Sequence, residues 1–366
     1  MLKRQTYVEN LRVLADSGVV TSPLNVRDPI TSLAFMFTAT NGATWNLANT
    51  LAENIQAIEL LDGSDVLFSL TGVQAAALDA YRRDRMPTYN ITEFPNDPAS
   101  FVFEYLFGRW PGDTVYALDP SKFANLQLRL TWNLATIRAV GALGYLTGSM
   151  RYTVIANILE GAPAPQGMLS ARQHYQLITV IGATAFIDLP TDRRLKAVYV
   201  RSALAAFGGI PGISRIKLTC DQDKFIPFDM LTPDLIALMS LNHPPLHYNH
   251  SFMINNAMTI FPLLKWFEDL QLQGYQGDDT YMYTNNAAGF GVVNVYLAGV
   301  FDANMRSYIG TVGGWMPYHV LALDQGEWDD PSTWLDPVAF KSIQLQLTQN
   351  AAAGVASVVL ESELVY

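Results

Sequence analysis

Alternation of apolar and polar residues with a period of two is the feature that most limits how this chain folds. Phe101, Phe103, Tyr105 and Phe107 alternate with Val102, Glu104 and Leu106, and Leu126, Leu128, Leu130 and Trp132 alternate with Gln127, Arg129 and Thr131. Successive side chains of a strand point to opposite faces, so this pattern builds half-buried strands and does not suit a helix. It returns at Tyr152, Val154, Ala156 and Ile158, at Val293, Val295 and Leu297, at Ile343, Leu345 and Leu347, and at Ala356, Val358 and Leu360. Strands therefore dominate both halves. Between them lie turn-forming clusters such as Asn96-Asp97-Pro98, Trp110-Pro111-Gly112-Asp113 and Gly274 to Asp279, residues that punctuate strands and seldom sit inside helices.

Helical spacing is confined to Val8, Leu11 and Leu14 near the start, Val73 to Tyr81, Leu231 to Leu241, and Met258 to Leu270. A linker is read at Gly161-Ala-Pro-Ala-Pro-Gln-Gly167, where two prolines and two glycines in seven residues suit neither a helix nor a central strand. Its two sides carry the same order of elements, as an internal repeat would. In the first half Ile58-Glu-Leu60 leads through Asp62-Gly63-Ser64-Asp65 to Val66-Leu67-Phe68 and a short helix with Ala77-Leu78. In the second, Ile216-Lys-Leu218 leads through Asp221-Gln222-Asp223 to Phe225-Ile226 and a short helix with Ala237-Leu238. Closing strands follow at Tyr152 to Leu159 and at Ala356 to Leu364.

A length of 366 residues is about twice that of a common domain of roughly 100–200 residues. The expected fold class is therefore all-β, two tandem eight-stranded jelly rolls (a double jelly roll) with a short helix after a strand in each roll. The expected divisions are an N-terminal arm at 1–22, a first roll at 23–160, a linker at 161–170, and a second roll at 171–366. The longer second copy places long outward loops at about 263–337. The arm is expected to pack beneath the first roll, with Val8, Leu11 and Leu14 on one face and Lys3, Arg4 and Arg12 turned towards phosphates.

Charge and composition exclude several functions. With 23 Lys and Arg against 33 Asp and Glu the formal net charge is -10, and basic residues cluster only in pairs such as Arg82-Arg83; wrapping nucleic acid needs clustered cations. The single Cys220 closes no internal disulfide and supports no cysteine-based metal cluster. No apolar run approaches the ~18–20 residues of a spanning helix, and Glu9 and Arg12 interrupt what a signal peptide would need as an apolar core. Charged residues make up 15% of the chain, against about 25% in typical domains, which points to surface hidden in contacts with other chains.

Candidate sites are few. His243, His247 and His250 in NHPPLHYNH group three of the five histidines as potential zinc ligands, yet Pro244-Pro245 breaks the helix that a zinc signature requires. The plainer reading is a loop whose histidines meet backbone carbonyls or a neighbouring subunit. The acidic loop 324–336 gathers Asp324, Glu327, Asp329 and Asp330 within 324–334, oxygen enough for calcium but without the alternation of an EF-hand; it reads as a solvated tip or contact patch. For glycoside hydrolysis Glu327 and Asp330 can be proposed as paired carboxylates, with a separation that the sequence does not set. Phe207-Gly-Gly-Ile-Pro-Gly212 lacks the residues of a phosphate loop, and no G-x-S-x-G elbow is present. Arg109 and Trp110 in FGRWPGD read as a hairpin tip, with partner binding as the other reading. No catalytic, cofactor-binding or metal residue is assigned.

With two such rolls, the chain resembles the double jelly-roll major capsid proteins of tailless icosahedral DNA viruses and phages, over about Arg27 to Tyr366. The phrases that carry the resemblance are IELLDGSDVLFSLTG, FGRWPGDTVYALDPSKFANLQLRLTWNL and VASVVLESELVY. It implies a structural protein and not an enzyme, working without cofactors in the capsid of a virion assembled in the host cell. It further implies a homotrimer of pseudo-hexagonal outline, upright strands, and second-roll loops forming an outer tower. Implied partners are further copies of the chain, penton and minor capsid proteins, and an internal membrane touched by the N-terminal arm; sequence-specific nucleic acid is not among them. The rival reading is a two-domain β-sandwich that binds or processes carbohydrate, since jelly rolls also serve as lectins.

Overall fold

The computed structural model describes residues 2–43, 51–90, 96–134, 144–203, 212–254, 260–263, 269–274, 280–287, 290–297, 306–350 and 354–366. In the first half one sheet has the order β1 (Leu2–Val13), β9 (Arg151–Glu160), β3 (Ile30–Thr40), β7 (Pro98–Leu106) and β6 (Thr88–Asn90). The other has β2 (Ser17–Pro23), β8 (Leu126–Asn133), β4 (Ile55–Asp62) and β5 (Asp65–Leu70). Their inner faces carry the alternating residues: Phe35 and Phe103 stack at 5.0 Å and Phe37 and Tyr152 at 6.0 Å, and Leu128 and Leu130 join them in one buried core.

The second half repeats this arrangement strand for strand. One sheet has the order β10 (Gly167–Ile178), β23 (Val355–Val365), β12 (Leu195–Ala203) and β21 (Val320–Asp324). The other has β11 (Thr184–Leu189), β22 (Ile343–Gln349), β13 (Ile213–Cys220) and β14 (Phe225–Leu231). By pairing partners β10 matches β1, β23 matches β9, β12 matches β3 and β21 matches β7, and the second sheets correspond in the same way. Setting aside the three-residue β6, each half is a roll of eight strands, as the sequence leads one to expect. One pairing fuses them: β5 and β10 meet in parallel at Ser69 and Arg172, so two four-stranded sheets become one of eight.

The repeat extends to a segment that the sequence reading did not align. Residues 118–133, LDPSKFANLQLRLTWN, and 335–350, LDPVAFKSIQLQLTQN, are identical at nine of sixteen positions: Leu118, Asp119, Pro120, Phe123, Gln127, Leu128, Leu130, Thr131 and Asn133 recur 217 residues later. Both copies form a 3-10 turn and then a strand. Asp119 Oδ1 accepts from the Ser121 amide at 3.0 Å and Asp336 Oδ1 from the Val338 amide at 3.1 Å. The preceding hairpin is tied in the same way each time: Asp62 Oδ1 accepts from the Asn125 amide (2.7 Å), and Asp221 Oδ1 from the Lys341 amide (2.7 Å).

Three stretches differ from the sequence reading. The helical spacing at Val8, Leu11 and Leu14 belongs to no helix: residues 2–13 are β1, antiparallel to β9, and residues 17–23 are β2. Register shifts at Tyr7/Glu9 and Glu9/Arg12, with Leu11 at φ 47°, reset the alternation and imitate a period near three. Within the helix read over 258–270, the described residues are strands, β16 (Ile260–Leu263) and the start of β17 (Asp269–Gly274). The stretch 263–337, read as loops, holds β18 (Thr280–Ala287), β19 (Phe290–Leu297) and β20 (Arg306–Trp315) as well as β21. With β15 (Leu246–Ile254) these strands form two three-stranded sheets, β15-β20-β17 and β16-β19-β18, while β21 returns to the roll beside β12. The glycine-rich 207–211 and the turn 275–279 lie outside the described residues. Among the described residues no helix is long and apolar enough to cross a membrane.

Candidate functional site

The most elaborate side-chain chemistry lies at the joint between the rolls and is delivered by the helix Gly72–Arg83. Thr71 starts it with a capping box: its hydroxyl accepts from the Gln74 amide (3.3 Å) while Gln74 Oε1 accepts from the Thr71 amide (2.9 Å). Gln74 then reaches across the joint, its Nε2 donating to Gln173 Oε1 at 2.7 Å and Ser357 Oγ at 3.0 Å. Two residues before the end, Tyr81 donates its hydroxyl to the Val320 carbonyl and touches Met239 Sδ at 3.2 Å, both in the second roll.

Arg82 and Glu361 form the centre. Arg82 Nη2 donates to Glu361 Oε1 at 2.7 Å, Nη1 donates to the Leu106 carbonyl, and the guanidinium lies 4.5 Å above the Tyr105 ring. Glu361, on β23, is 0% exposed; it also accepts from Lys196 Nζ at 3.1 Å and from the Tyr199 hydroxyl at 2.6 Å. Burial by itself pushes this carboxyl up, but the Arg82 and Lys196 charges and the Tyr199 hydrogen bond outweigh it and hold the pKa at about 2. A buried carboxylate with two cations and a hydroxyl is satisfied on both oxygens, which makes it a fixed clamp and not a proton carrier.

Two loops singled out in the sequence form a second contact. Arg109 is held by Asp113, Nε to Oδ2 at 2.8 Å, and donates Nη1 to the Asp329 carbonyl at 2.7 Å. Trp110 meets Trp328 edge to face at 6.0 Å, and the Tyr116 hydroxyl donates to Glu363 at 2.7 Å. FGRWPGD and the acidic loop are thus partners within one chain. Asp330 accepts from the Ser332 hydroxyl and amide, which holds its pKa below the ordinary value and suits it poorly to donate a proton to a leaving group.

His243 stands between the rolls, its Nε2 3.1 Å from Asp324 and its Nδ1 3.6 Å from Asp84. His247 and His250 fall on β15, with side chains outside the described residues. Among the described residues no three His, Cys, Asp or Glu side chains converge as metal ligands would. A cleft of about 390 Å³ is lined by Lys3, Arg4, Glu104 and Asn157 among others. Arg4 there is already paired with Glu160 at 2.6 Å. Lys196, Tyr199 and Glu361 went unread in the sequence and Arg82 was noted only as half of a basic pair; the one signal was a glutamate directly after the apolar run Val355 to Leu360.

No protein-family model matches the chain, and no curated protein matches it in sequence. Solved structures do match in fold over its whole length. The major capsid protein of bacteriophage PM2 superposes with a TM-score of 0.58 at 9% identity, covering 100% of this chain and 98% of that one. The capsid of PBCV-1 virus gives 0.58 at 11% identity, over 99% and 93%. A chain of the Sulfolobus Turreted Icosahedral Virus gives 0.61 at 10% identity, over 99% and 91%. The chain has the double jelly-roll fold of these viral major capsid proteins.

Proposed function

We propose that this chain is a structural major capsid protein, self-assembling as pseudo-hexameric homotrimers into an icosahedral viral shell, and that it catalyses no reaction. The observation that carries the reading is the joint: one sheet runs through both rolls, and a buried ion cluster clamps the first-roll helix onto the second roll. A chain built this way acts as one rigid block with two similar units, and three such blocks give six units around a threefold axis. The full-length likeness to capsid folds supports the same role. In such a shell the partners are further copies, penton and minor capsid proteins, and, through Lys3 and neighbouring residues, an internal membrane. The protein's place is then the virion, after assembly in the host cell.

Light scattering on the purified chain, followed by negative-stain microscopy, tests this reading. Trimers of pseudo-hexagonal outline are the expected result; a chain that stays monomeric at micromolar concentration overturns it.

A further inference from the structure

The repeat makes the two rolls comparable residue by residue, and two surfaces stand out as open where their counterparts are covered. At an offset of 160 the helix Thr232–Asn242 matches Gly72–Arg83, so that Leu238 corresponds to Leu78 and Leu241 to Tyr81. Leu78 is 0% and Tyr81 8% exposed, whereas Leu238 is 46% and Leu241 80% exposed. The first helix is covered by β12, β21 and β23, through Tyr199, Val320 and Glu361. The counterparts of those strands are β3, β7 and β9, and among the described residues no helix lies across their outer face; only Arg83, at the end of Gly72–Arg83, reaches it, pairing with Glu104 of β7. Met36 there is 39% exposed, Val102 opposite it is half-buried, and Ile155 lies on the same side opposite Ala34.

We infer that the open face of the helix Thr232–Asn242, centred on Leu238 and Leu241, docks on the outer face of β3, β7 and β9 of a second copy of this chain. The inference rests on the homotrimer reading and names the surfaces that build it. Helix face and sheet face are different surfaces, so the contact is heterologous and must close into a ring or run on as a filament. The sheet edges agree: β14 and β1, counterparts of the joined β5 and β10, each end their sheets unpaired among the described residues. The position of Arg82 is taken by Asn242, so the joint between copies leaves out that buried arginine and is carried by apolar contact. Such a contact forms and separates without stranding that charge.

Leu241→Asp tests this, because the residue is exposed within one chain and the substitution spares the core. The expected result is an unchanged melting profile of the dilute monomer and trimer dissociation shifted at least about 100-fold to higher concentration, as for a charge forced into an interface hot spot. Met36→Asp, on the opposite surface, should do the same. Each variant keeps one intact surface, so mixing the two should yield a one-to-one dimer and nothing larger. The thiol of Leu241→Cys should react with a maleimide only after trimers dissociate; the native Cys220 is buried. Intact trimers in Leu241→Asp, a freely labelled Cys variant within the trimer, or no dimer on mixing would each overturn the inference while leaving the trimer standing. A monomeric wild-type chain would instead remove the reading on which it rests.

Discussion

The two helices occupy the same place in their rolls and live in opposite surroundings. In Gly72–Arg83 every residue from Gly72 to Tyr81 is buried, whereas in Thr232–Asn242 only Thr232, Leu235 and Met239 are. Their sequences point the other way: the buried helix carries Gln74, Asp79, Arg82 and Arg83, and the open one reads TPDLIALMSLN. Burial here is decided by what the neighbouring roll lays over the helix. A polar helix tolerates being covered because Gln74 and Arg82 find partners across the joint while Asp79 and Arg83 pair with each other and Arg83 with Glu104 of its own roll, and because Ala75, Ala76, Ala77 and Ala80 let the backbones approach. An apolar helix stays open within one chain for as long as its cover belongs to another.

The largest effect that can break this comparison is expected from Glu361→Ala, which strands Arg82 and Lys196 in a dry joint. Removing one partner of a buried ion cluster costs about 3–5 kcal/mol, and the rolls should then unfold in two calorimetric transitions. A loss below about 1 kcal/mol would show that the clamp is not what unites them.

Next comes the matched pair Tyr81→Ala and Leu241→Ala, measured by urea unfolding at concentrations where the chain is monomeric. Tyr81 should cost about 3–4 kcal/mol as a buried ring with a hydrogen bond, and Leu241 within about 0.5 kcal/mol as an exposed residue. Equal costs would mean that the helices are not differently covered.

Acid sharpens the same contrast. Glu361 is held at about 2 against an ordinary 4.5, so its contribution is complete above about pH 4.5 and is lost as pH falls towards 2. That difference corresponds to about 3 kcal/mol. Glu361→Gln should remove this acid dependence, and a profile unchanged by it would refute the assignment. Asp79 runs the opposite way: burial raises it to about 7 despite Arg83, Arg85 and Arg82 nearby. Its contribution is greatest below its ordinary 3.8 and declines as pH rises to about 7.

The smallest effect concerns His243, which joins Asp84 of the first roll to Asp324 of the second. Burial lowers its pKa, but hydrogen bonding and charge from Asp324, with Asp84, raise it above the ordinary 6.5. Its stabilisation is therefore full below about 6.5 and is lost as pH rises through the raised value. A contribution of about 0.5–1 kcal/mol is expected for such a partly exposed pair. His243→Ala should lower the melting temperature at pH 5.5 and leave it nearly unchanged at pH 9; an equal loss at both would point to packing instead.

Much of the fold was legible because alternation is strong where a strand has one buried face: β7, β8, β9, β22 and β23 fall where the pattern places them. The edge strand β1 was misread because bulges break its period and its residues are mostly exposed on both sides. The recurrence of LDPxxF was written in the sequence and went unaligned, since β4, β5 and the helix match their counterparts at offsets of 158 to 160 and β8 matches at 217. The strands β15 to β20, inserted between, shift the register of everything that follows.

The sequence by itself determined which residues face inwards, because the pleat of a strand and the turn of a helix are local and their periods survive in the order of residues. It determined that there are two similar halves for the same reason. It did not determine that Arg82, Lys196 and Glu361 meet. The two cations lie 279 and 165 positions from the glutamate, and each alone reads as an ordinary charge on its own element. Only the docking of one roll on the other takes water away from all three together. That loss of solvent, which no local pattern encodes, turns scattered charges into a clamp and leaves one helix covered and its counterpart open.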